Sequence, residues 1–126
     1  MKRLWIGISF LVLLLAGGIA LSLGMVSLHN RISSQLSAAS LSAQAQDWEA
    51  ALQLSDAAGK DWDKYRHITA AFTDHEPIEQ MDSLFSQLDT FRAFALSAEY
   101  AATCQHLADL SGAIAESHSL TWWNLL

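Results

Sequence analysis

The sequence predicts an all-α protein, with an N-terminal transmembrane helix continuing into an antiparallel up-down helical bundle. Three observations carry this expectation. Residues Leu4–Leu28 hold no charged side chain. Beyond them, four segments repeat apolar residues at three- and four-residue steps, and no segment alternates with period two for long enough to make a strand. A chain of 126 residues has room for one small domain after the apolar segment.

The first element is that apolar segment. At ~1.5 Å per residue, Leu4–Leu28 is long enough to span a ~30 Å hydrocarbon core with some tilt. A cleaved signal peptide is the competing reading, since Lys2 and Arg3 give a basic start and Gly18 and Ala20 form a small-x-small pair. The apolar run continues past Ala20 further than an export signal needs, so a retained anchor is expected. Lys2 and Arg3 precede the span and Arg31 alone follows it, which puts residues 1–3 in the cytoplasm and residues 29–126 outside, at the cell membrane. Trp5 then sits at one interface, and His29, Asn30 and Arg31 mark the other. Ala16, Ala20 and Gly24 form a small-residue stripe that would let two such helices approach, which makes a homo-oligomer an expectation.

Past the span, Leu28, Ile32, Leu36, Ala39 and Ala43 keep a helical step through "SSQLSAASLSAQAQ". The absence of Gly and Pro from Met25 to Asp56 favours a continuing helix near 29–45 over a Ser-rich linker. Asp47 is a natural N-cap for a helix over 48–72, whose inner face is Trp48, Ala51, Leu52, Ser55, Ala58, Gly59, Trp62, Tyr65, Thr69 and Phe72. Gly59 there would let a neighbouring helix come close. A third helix near 76–96 presents Ile78, Met81, Phe85, Leu88, Phe91 and Ala95, with Leu84 and Phe94 on its shoulders. A fourth near 98–117 presents Tyr100, Cys104, Leu107, Ala108, Ser111, Ile114 and Ala115. Short connections make sequential neighbours antiparallel. The junction of the second and third helices therefore returns to the membrane-proximal end, as does the Trp-rich tail. Trp122 and Trp123 are expected to pack under the bundle or touch the bilayer.

Residues 32–126 carry four Lys/Arg against thirteen Asp/Glu, a net charge of −9 with His neutral. Such a surface repels phosphate backbones, so no nucleic acid is expected, and a basic protein surface or a cation suits it better. Cys104 is alone and on an apolar face, which fits a buried thiol.

The acidic junction "FTDHEPIEQ" has capping-box spacing between Thr73 and Glu76, and Pro77 falls in the first helical turn. Capping leaves His75 without a role. Asp74, His75 and Glu76 have side-chain types that bind divalent metals, without a strong signature such as H-E-x-x-H. His29, His118 and Glu116 would gather at the same end, where histidines also suit a pH-responsive cluster. His106 falls on a solvated face. Cys104 has no paired histidine, and neither G-x-S-x-G nor a phosphate-binding glycine loop is present. An enzyme is not expected, and no cofactor is implied.

The stretches "DWEAAL…W" at Asp47 to Trp62, "FTDHEPIEQ" at Phe72 to Gln80 and "SLTWWNLL" at Ser119 to Leu126, with the start "MKRLWI", resemble the bacterial domain-of-unknown-function 4363 family. The resemblance implies a small, single-anchor helical membrane protein and supplies no chemistry. "DWEAALQL" also looks like a tetratricopeptide-type helix start, but no repeat accompanies it. The functional expectation is a non-enzymatic interaction or accessory module facing a membrane or envelope protein. The alternative is a divalent-metal or pH-responsive module centred on His75.

Overall fold

The computed structural model describes the backbone of residues 1–124 and the side chains of residues 1–119. Among the described residues it is built of four helices and no strand: α1 (Lys2–Gln44), α2 (Trp48–Phe72), α3 (His75–Ala93) and α4 (Ser97–Asn124). The Ser-rich stretch is helix, and α1 runs unbroken through it. The fourth helix continues into the expected tail, because "SHSLTWWN" contains neither Gly nor Pro to stop it. How Trp122 and Trp123 pack lies outside the described side chains.

α1 has two halves with different surroundings. Residues 2–21 are exposed throughout, and burial begins at Ser22 and Met25. From there Met25, His29, Ile32, Leu36, Ala39 and Ala43 form the centre of the core. The bare half is about 30 Å long at ~1.5 Å per residue. By length and composition, α1 is the one helix among the described residues apolar enough to cross a membrane. One placement is corrected. His29, expected at the outer interface, is fully buried, because α2 and α4 reach down α1 and pack around it.

The order of contacts along the helices gives the topology. Ser40 Oγ donates to the Ala101 carbonyl (2.7 Å), Ser33 Oγ to the Ala108 carbonyl (2.8 Å) and Ser111 Oγ to the His29 carbonyl (3.0 Å). As α1 is read toward its start, α4 is read toward its end, so the two run antiparallel. Small side chains meet at several points of this seam, and a Cβ built on Gly112 would lie at an ordinary 3.6 Å from Ser33 Oγ. Two of the serines that resembled a linker, Ser33 and Ser40, thus lie in the contact of two helices, with their hydroxyls bonded to the partner's carbonyls. Asp56 and Arg92, then Arg66 and Asp82, order α2 against α3 in the same antiparallel sense.

The core matches the expected faces on α1 and α4, and the misses on α3 have a local cause. Leu84 is buried rather than peripheral, while Phe94 and Ala95 are exposed. α3 ends at Ala93, and the chain turns away before Phe94 can continue the apolar stripe. Gly59 does not serve close approach either, since a Cβ there would meet Phe85 at an ordinary 3.8 Å.

Two helices stop without glycine. After α1, the amides of Gln46 and Asp47 bond the carbonyls of Ala43 and Ser42. After α3, those of Ala95 and Leu96 bond Arg92 and Phe91. This is the Schellman arrangement, in which the first residue past the C-cap turns left-handed. Gln46 (φ 62°) and Ala95 (φ 53°) take that position. Asp47 then caps α2, its carboxylate accepting the Ala50 amide at 3.2 Å. A left-handed alanine is disfavoured by roughly 1–2 kcal/mol, less what glycine adds to unfolded-state freedom. Ala95→Gly is therefore expected to stabilise the fold by about 0.5–1 kcal/mol in denaturant titration, whereas Ala→Gly in a helix interior would destabilise it.

Candidate functional site

The acidic junction is arranged differently from its expected capping box. Thr73 ends α2 in extended backbone (φ −131°, ψ 150°), and Asp74 is the N-cap of α3, with no side-chain bond to the helix. The Thr73 hydroxyl is instead 2.9 Å from His118 Nε2, which ties the junction to α4. Glu76 accepts from Gln80 at 3.4 Å. Pro77 is in the first turn as expected, at the third helical position. Asp74, His75, Glu76 and Glu116 are exposed. Among the described residues, no three His, Cys, Asp or Glu side chains converge in a group fit to hold a metal.

Of the histidines expected at this end, His29 has the most enclosed surroundings. Its Nδ1 is 3.3 Å from Ser111 Oγ on α4, and its Nε2 is 3.2 Å from Thr69 Oγ1 on α2. The Trp62 ring meets it edge-on, with centroids 6.2 Å apart. Both hydroxyls also have carbonyls in reach, Ser111 that of His29 and Thr69 that of Tyr65 at 3.1 Å. A neutral ring donates its single N–H to one hydroxyl, and the other hydroxyl turns its proton from the carbonyl to the bare ring nitrogen. Three helices thus share one hydrogen-bonded knot. The periodicity of α1 marks position 29 as inward, one turn before Ile32 and one after Met25, and that signal is available in the sequence.

Trp62 links this knot to the α2–α3 seam. Its Nε1 donates to Asp82 Oδ1 at 2.8 Å, and Arg66 Nε donates to both oxygens of Asp82 at 3.0 and 2.7 Å. Burial pushes the Asp82 carboxyl up, but the bonds from Arg66 and Trp62 and the Arg66 charge outweigh it and hold the group below its ordinary range.

Bulky aromatics separate the helices here: Trp62 of α2 stacks on Phe85 of α3 with centroids 6.4 Å apart, and Trp48 of α2 meets Tyr100 of α4 edge-on at 5.2 Å. The result is a cleft of about 500 Å³. Its floor holds Trp62, Phe85 and Tyr100, and the Tyr100 and Ser55 hydroxyls are hydrogen-bonded. Asp63 and Asp89 on its walls make no ion pair among the described residues, while Asp56 is 3.3 Å from Arg92. The volume and the mixture of aromatic and polar walls fit a binding cleft. Sequence reasoning misses it, because Asp63, Asp82 and Asp89 read individually as solvated helix surface.

Cys104 is buried as expected, and desolvation pushes its thiol up to about 12. His106 is exposed. Ala20 and Gly24 of the small-residue stripe line a second groove, between α1 and Tyr65 and Ile68 of α2.

Compared with known proteins, residues 24–125 match the family model described as a domain of unknown function, DUF4363. The match begins one residue before Met25, the first buried side chain. No curated protein and no solved structure matches.

Burial, and then the charge of His118, lower the His29 pKa from 6.5 to about 4. The unfolded chain takes up this proton near 6.5 and the folded protein only near 4, so stability is full above 6.5 and falls as pH drops through that window. At ~1.4 kcal/mol per unit the expected loss is about 3 kcal/mol. Denaturant midpoints measured from pH 7 to 4 should show it, and His29→Gln should remove most of the slope.

Proposed function

We propose a function for a chain that belongs to the DUF4363 family, a domain of unknown function: it is a membrane-anchored, non-enzymatic interaction module whose bundle stands on the outer face of the cytoplasmic membrane. The observation that carries this reading is the division of α1. Its bare half, residues 2–21, is about as long as a ~30 Å hydrocarbon core is thick, and its other half is the central strut of the bundle. A helix that is both anchor and core holds the bundle at a set height, with no flexible linker between them. Lys2 and Arg3 at the bare end support an inward amino terminus.

The partner-facing element in this reading is the α2–α3 cleft. Asp63 and Asp89 are open to a basic segment of another membrane or envelope protein, in keeping with the acidic charge of the domain. Aromatic side chains at the cleft floor add apolar area of the kind that anchors interfaces.

Two measurements check these statements. A reporter that functions only outside the cytoplasm, fused to the carboxy terminus, is expected to be active, and activity of a cytoplasm-only reporter there would refute the orientation. A photo-crosslinking residue at Asp89 in native membranes is expected to trap a discrete protein, whereas the same probe at Asp109 on α4 is not. Equal capture at both positions, or none at Asp89, would remove the cleft from the interaction.

A further inference from the structure

The membrane-proximal end of α2 exposes side chains that a water-facing helix would not be expected to show. Ile68 is 42 % and Phe72 57 % exposed. They are four residues apart and share a stripe with Lys64, one turn further up. Beside Ile68, between α1 and α2, lies a groove of about 360 Å³, while Phe72, one turn lower, lines a neighbouring groove with Pro77 of α3 and Ile114 of α4. The lower wall of the α1–α2 groove is Ala20, Leu21 and Gly24, continuous with the bare half of α1, and its upper end is Arg31. Arg31 bonds Asp61 through Nε alone, at 3.1 Å, and its terminal amines have no hydrogen-bond partner among the described residues. Lys64 is exposed, with its ammonium 5.2 Å from the centre of the Tyr65 ring.

We propose that this α1–α2 face docks on the outer leaflet of the bilayer, with Ile68 and Phe72 entering the boundary between acyl chains and headgroups and Arg31 and Lys64 meeting lipid phosphates. The proposal rests on the anchor reading of α1. Three features point to lipid as the occupant. The face is continuous with the bare span, so a bilayer around residues 2–21 already reaches the lower wall of the groove. Its polarity is ordered along α2: the apolar Phe72 is lowest, and Lys64 lies ~12 Å above it by helix rise, where a long side chain can reach back to the phosphate level. Its charge is also complementary to phosphates, on a domain otherwise rich in carboxylates.

The exposed acids Glu76 and Glu79 lie on α3, with Asp74 between them and Phe72, and they disfavour equal immersion of both sides. A tilt of the ordinary ~20° lowers the α1–α2 face and lifts the start of α3.

The test uses the full chain in nanodiscs of phosphatidylethanolamine and phosphatidylglycerol. A fluorophore is attached at Leu13→Cys in the span, at Phe72→Cys, or at Phe94→Cys on the far end of the bundle. Buried Cys104, with its raised thiol pKa, stays unlabelled. Lipids carrying a nitroxide near the headgroup are expected to quench the Phe72 site several-fold more than the Phe94 site, and chain-deep nitroxides to quench the Leu13 site. Adding Arg31→Gln and Lys64→Gln should reduce quenching at Phe72, more so when phosphatidylglycerol is abundant. A quenched Leu13 site with Phe72 behaving like Phe94 overturns the docking face and leaves the anchor standing. An unquenched Leu13 site overturns both. Shielding of the Phe72 site from lipid nitroxides and aqueous iodide alike would place a second copy there and overturn the lipid assignment.

Discussion

The seam between α1 and α4 is the constraint on which the other helix positions depend. Serine hydroxyls donate to carbonyls across it, and Ser33 and Gly112 face each other at an ordinary contact distance. Each such bond contributes only ~1 kcal/mol net, yet leaving a buried hydroxyl unpaired costs more, so the pattern sets which faces meet more than how strongly they hold. Large side chains gather elsewhere around α2, where Trp62 stacks on Phe85 of α3 and Trp48 meets Tyr100 of α4. The Trp62–Phe85 pair holds α2 and α3 apart beside the cleft. Crossing ion pairs, Asp56 with Arg92 and Arg66 with Asp82, span a gap that apolar packing does not fill.

The same seam explains why a histidine can be buried within a few turns of an exposed apolar helix. His29 faces α2 and α4 at once, and Ser111 and Thr69 each bring it an oxygen. A hydrophobic residue of similar volume would avoid the desolvation cost, so the knot contributes to register as well as to stability: it aligns one turn of α1 with one turn each of α2 and α4. From Trp62 the connection passes to Asp82 and Arg66 at the edge of the cleft. The His29 knot and the proposed partner surface are thus joined by consecutive contacts.

Much of the fold is legible in the sequence because it rests on spacing. The limits of α2, the Asp47 cap, the inward faces of α1 and α4 and the buried Cys104 all derive from where apolar and capping residues fall along one helix. The errors share another cause. Spacing pairs Thr73 with Glu76 in a capping box, but the Thr73 hydroxyl faces His118, forty-five residues away. Periodicity puts Phe94 on the α3 stripe because no glycine marks the left-handed turn that removes it, and Ala95 takes that turn unaided.

The sequence by itself determined the helical class, the uncharged first segment and the acidity of the residues beyond it, since each is a property of composition or of period along the chain. Only the tertiary structure decided where α1 stops being bare, that Ser111 and Thr69 are the hydroxyls beside His29, and that Trp62, Phe85, Tyr100, Asp63 and Asp89 surround one cleft. These depend on which helix lies beside which, and on side-chain volumes at the α1–α4 and α2–α3 seams. No single helix repeat encodes that information.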